Sequence, residues 1–269
     1  MGMDAQALVS KALLRRDRVV VIAGLVSVLS LAWAWLLAGA GMEMSALEMT
    51  GMAGMDGWLM EPAVWTPAYF AVVFAMWSVM MVAMMLPSAA PMLLLFARVN
   101  RTDKAAGAPW LPTAAFATGY LLVWVGFSAL ASALQWSLES ARLLSPMLET
   151  TSRWLGSGIL LAAGLWQLTP LKAVCLRHCR SPLGFLIANW RTGVLGALRM
   201  GLEHGAYCLG CCWFLMALLF FGGVMNLYWI AGIAIFVLLE KIVPHAHWLS
   251  RLSGVALLAW GIALMVPLR

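Results

Sequence analysis

The chain has 269 residues, is 64% apolar and only 10% charged, and has a mean hydropathy of +0.91. A soluble core of this size needs a charged shell, and the charges for one are missing, so composition excludes an ordinary soluble domain and places the chain among polytopic membrane proteins. The net charge of +6 then reads as lysine and arginine marking cytoplasmic loops, not as a nucleic-acid footprint.

A basic head (Lys11, Arg15, Arg16, Arg18) precedes an apolar run from Val19 to Ala40. That run is longer than a signal-peptide core, so it reads as a retained first span. The outer segment 41–66 follows, rich in methionine (Met42, Met44, Met49, Met52, Met55) and acidic residues, with no lysine or arginine. Thioethers are soft ligands that do not protonate, and they can hold Cu(I) in an oxidising compartment where a thiol would be oxidised.

The second span, 69–97, carries Met76, Met80 and Met84 at helical spacing, which predicts a thioether stripe on one face. Pro87 and Pro91 are expected to break this helix, and broken membrane helices line sites and cavities. The third span is 112–138 and the fourth 154–171. After the fourth come Cys175, His178 and Cys179, which share a face if the helix continues, amid Lys172, Arg177 and Arg180. Nearby positive charge favours thiolate, the metal-binding form. Three donors leave a tetrahedral site one short, and His245 or His247 is a candidate fourth. Segment 181–192 is too short to span and reads as a re-entrant or interfacial piece.

The fifth span, 193–221, holds the sharpest constellation: His204, Cys208 and Cys211 on one narrow face with Cys212 at its edge. Thiolate and imidazole suit Cu(I), zinc or iron–sulfur chemistry. Glu203 is a candidate for orienting a ligand or handling a proton, since an ionisable residue inside a membrane marks function by default. Spans 227–243 and 248–267 complete the chain. Glu240, a second proton-handling candidate, and Lys241 end the sixth span and read as an anchor at the inner face. By depth, Met76–Met84 and His204–Cys212 overlap near mid-membrane.

These elements predict a single all-α domain over 1–269, a polytopic membrane helix bundle of about seven transmembrane helices, N-in and C-out. That orientation places 13 of the 17 basic residues inside. The five cysteines are odd in number and absent from the outer loops, which argues against a disulfide framework.

The joint pattern of Met80–Pro91, Thr169–Lys172, Cys175–Pro182, His204–Trp213 and Gly223–Asn226 resembles a bacterial family of predicted metal-binding integral membrane proteins. The resemblance covers roughly residues 70–265. It implies a multi-pass protein of the bacterial cytoplasmic (inner) membrane, and copper-chaperone labels among its members agree with the methionine reading.

The function expected is a copper protein of the bilayer that binds Cu(I) and transports it or delivers it to a partner, either a soluble copper protein or another membrane subunit. Zinc and iron are the alternative metals. Two other classes use the same residues: an oxidoreductase built on Cys211-Cys212 or a bound metal, and a structural or assembly subunit of a larger membrane complex. No Walker-type glycine loop appears, so movement of the ion would not be driven by ATP within this chain.

Overall fold

In the computed structural model the described residues are 2–42, 44–52, 64–100, 110–146, 148–243 and 247–266, with side chains of the first helix described from Val19 onward. Among them the fold is all-helical: α1 (Gly2–Leu37), α2 (Ala46–Gly51), α3 (Pro67–Asn100), α4 (Trp110–Ser140), α5 (Arg153–Leu168), α6 (Pro170–Arg180), α7 (Pro182–Asn189), α8 (Gly193–Ala217), α9 (Leu219–Gly222), α10 (Leu227–Ile242) and α11 (His247–Met265).

Val19–Leu37 of α1, all of α3 and α4, the run Gly193–Gly222, and α11 are each long and apolar enough to cross a membrane, and α5 with α6 makes a sixth crossing if counted as one bent span. Five or six of the roughly seven expected spans thus meet that length and composition among the described residues. The expected span 227–243 falls short of that length: α10 is apolar but has 16 residues, about 24 Å of helix against a hydrocarbon core of about 30 Å.

Two close helix pairs organise the bundle. On α4 and α8, a Cβ at Gly119 would strike the Leu198 carbonyl, and one at Gly201 would strike the Phe116 carbonyl. Only glycine lets the backbones meet this closely, and small residues take that role where lipid supplies no hydrophobic drive between helices. On α5 and α11, Gly164 and Gly254 face the opposing helix in the same way, and Ser157 Oγ donates to the Gly261 carbonyl at 2.7 Å. Helix α8 joins the two pairs by packing on α5, and α3 packs on α1, α4, α7 and α10.

Pro87 and Pro91 do not break α3, which runs unbroken through both. Membrane helices tolerate proline in this way. The Met85 carbonyl accepts from Ser88 Oγ at 2.8 Å and from Tyr120 Oη at 3.2 Å.

The real break is at Thr169–Pro170, where α6 turns 65° from α5. Proline cannot continue the α5 ladder. Thr169 ends α5, and its hydroxyl accepts from Lys172 N at 3.2 Å to cap α6. The bend lays α6 against α8, so the Cys175–Cys179 segment is a packed helix and not a loop. Segment 181–192 contains α7, a short helix against α3 and α6. Asn226 caps α10 by accepting from Tyr228 N at 3.0 Å.

Candidate metal centre

The bend at Pro170 turns two cysteine clusters that are separate in sequence into one. Cys179 of α6 is buried where α6 packs on α8, as a neighbour of Cys208 and Cys211. Cys175 Sγ is seated against Gly210, where a Cβ would come within 2.9 Å of it. Cys211 and Cys212 each donate to the Cys208 carbonyl at 3.0 Å, the back-bonding expected of short side chains on a helix.

Cys208 Sγ is the centre of this group. Lys241 Nζ donates to it at 3.0 Å and Tyr120 Oη is hydrogen-bonded to it at 3.1 Å, with Cys179, Cys211 and Cys212 as its neighbours. All five cysteines are free. From α3, Met85 Sδ approaches Cys212 Sγ at 3.9 Å, and Ser88 Oγ accepts from Lys241 Nζ at 2.8 Å. Four thiols and a thioether from three helices thus share a dry interior, the donor chemistry that suits a soft monovalent metal.

His204 lies one turn from Cys208 and is 2% exposed, its ring boxed by Phe116, Tyr120 and Phe185 at centroid distances of 6.1, 5.9 and 5.3 Å. Its Nδ1 has no hydrogen-bond partner. A buried polar atom left alone costs free energy, and this one is free to serve as a donor. His178 is apart from the thiols, its ring stacked on Tyr207 at 4.1 Å and 1°. Among the described residues no three Cys, His, Asp or Glu donors are set to hold one ion.

The methionine stripe is buried as a block: Met76, Met80 and Met84 are at most 1% exposed. The one that reaches the thiols is Met85, on the face that Met81, Ser88 and Met92 share. Of the outer methionines, Met49 is buried and Met42, Met44 and Met52 pack partly on the core. Met55 lies outside the described residues, as does His245. Glu203 is away from the thiols, bound by Arg191 at 3.0 Å and Arg199 at 3.2 Å.

Glu240 and Lys241 are not an anchor at the membrane face. Both are buried, at 1% and 9% exposure, because α6, α8 and α11 close over the last turn of α10. Glu240 pairs with Lys172 at 2.5 Å and accepts from Ser250 Oγ at 2.6 Å. Lys241 faces Cys208. Arg180 Nη2 donates to the Val243 carbonyl that ends α10, at 2.5 Å. Tyr120, Met85 and Lys241 are the members of the site that spacing did not single out. For Lys241 the signal was present, as a lysine inside an apolar segment.

The profile of a family described as PpoB2, copper chaperone, matches residues 74–264. No curated protein matches the chain, and no solved structure does.

Proposed function

Because the chain belongs to the PpoB2 copper chaperone family, we propose that it is a multi-pass protein of the bacterial cytoplasmic membrane that takes Cu(I) as cargo and passes it across the bilayer or to a partner protein. One observation carries this reading: the helix bent at Pro170 packs α6 on α8, so that buried Cys179 joins the buried thiols Cys208, Cys211 and Cys212, the last of them 3.9 Å from the thioether of Met85. Copper(I) is satisfied by two soft donors, and these helices offer several.

The route runs from Met42, Met44, Met49 and Met52 through the buried methionines Met76, Met80 and Met84 to Met85 and the thiols. It leaves by Cys175 and His178, at the half-buried end of α6. Thioethers serve the oxidising side and thiols the reducing side. In the N-in orientation the first lie outside and the last face the cytoplasm.

The test is elemental analysis and Cu(I) titration of purified protein beside Cys208→Ser and Cys211→Ser. Near-stoichiometric copper in the wild type, lost in the variants, supports the reading. Full copper retention in both variants refutes the site. A folded wild type that takes no copper refutes the function and favours thiol redox chemistry or an assembly role.

A further inference from the structure

Three ionic side chains are buried among the described residues: Lys172, Glu240 and Lys241. Lys172 and Glu240 pair and cancel. Among the described residues no carboxylate pairs with Lys241; its hydrogen-bond partners are Ser88 Oγ at 2.8 Å and Cys208 Sγ at 3.0 Å. The thiol cluster therefore has one amine seated against Cys208, in a medium where charge is costly unless it is compensated.

We infer that Lys241 sets the valence of the cargo: its ammonium, seated against Cys208 and Ser88, makes the site selective for a monovalent soft cation over a divalent one. The inference rests on the copper reading above. When an ion binds two thiols, Cys208 among them, two sulfur–metal bonds form and the S–H protons still carried leave to solvent. No electron moves. Two thiolates around a monovalent ion carry one net negative charge, and Lys241 cancels it. Around a divalent ion the same two thiolates are neutral, and the charge of Lys241 is left uncompensated. A third thiolate would restore neutrality for a divalent ion, but no three Cys, His, Asp or Glu donors are set for one ion among the described residues.

The experiment titrates the full chain in detergent with Ag(I), a redox-inert stand-in for Cu(I), and with Co(II), a divalent probe read by its thiolate charge-transfer absorption. Wild type is expected to bind Ag(I) and not Co(II). In Lys241→Met the preference for Ag(I) over Co(II) falls by about tenfold or more, and in Lys241→Arg it stays at the wild-type value. Lys241→Gln keeps a hydrogen-bond donor without the charge, and it follows Lys241→Met if charge is the determinant. Neutral variants that bind Ag(I) with wild-type selectivity overturn the inference, as does a wild type that takes Co(II) as readily as Ag(I). A folded wild type that binds neither ion overturns the copper reading, and this inference with it.

Discussion

Replacing Glu240 with glutamine removes the carboxylate that faces Lys172, whose side chain is 1% exposed with Nζ 2.5 Å from Glu240 Oε1. Ser250 Oγ, now bonded to the same oxygen at 2.6 Å, cannot replace it as a counter-charge. Breaking one side of a buried ion pair costs about 3–5 kcal/mol, because the remaining charge stays buried without a partner. Lys172→Met is expected to cost a similar amount. The double variant Lys172→Met/Glu240→Gln leaves no charge to solvate, and it is expected within about 1 kcal/mol of wild type. The pair joins α6 to α10, so each single variant also loosens α6 from α8. Cys179, 8% exposed in the native fold, then becomes reactive to maleimide. The assay is equilibrium unfolding in detergent, with Cys179 labelling measured in parallel. Single variants within about 1 kcal/mol of wild type, or a double variant as unstable as the two singles summed, would refute the reasoning.

Met85→Leu conserves volume and is expected to cost under about 1.5 kcal/mol of stability while weakening Cu(I) binding, read by competition with a chromophoric chelator. Gly201→Ala drives a methyl group into the Phe116 carbonyl on α4. It is expected to destabilise by about 1–3 kcal/mol or more, seen as a lower unfolding midpoint. The Ser45 hydroxyl and amide hold the Glu48 carboxyl below its ordinary value of 4.5. The support Glu48 gives α2 is therefore complete above that value and is lost as pH falls through the lowered one. Amide exchange over Ala46–Gly51 should accelerate on acidification, and Glu48→Gln should remove the pH dependence.

The long spans were legible because about 20 apolar residues leave little choice of environment. Helices α3, α4 and α8 and the run from Val19 match that expectation. The face of α8 bearing His204, Cys208 and Cys211 was legible for the same reason that any helical face is: period alone fixes it. What period cannot fix is which side of a neighbouring helix meets that face. Met76, Met80 and Met84 make the more regular stripe, yet Met85 meets Cys212. The burial of Lys172 depends on Glu240, 68 residues away, and no local pattern announces that pairing. The turn at Pro170 was readable as a helix end, but its 65° direction is set by packing of α6 on α8.

The two prolines of α3 have a mechanical consequence. Pro87 offers no amide to the Ala83 carbonyl, and Pro91 none to that of Pro87, so two rungs of the helical ladder are missing on either side of Met85 and Ser88. Across the site, α8 runs without interruption from Gly193 to Ala217 and is locked to α4 at Gly201. The site therefore has one compliant wall and one stiff wall. Opening it strains α3 least, and the thioether of Met85 travels with the wall that yields while Cys208 stays fixed. Amide exchange should be faster over 83–92 than over 200–212, a difference in backbone stiffness across one packed site.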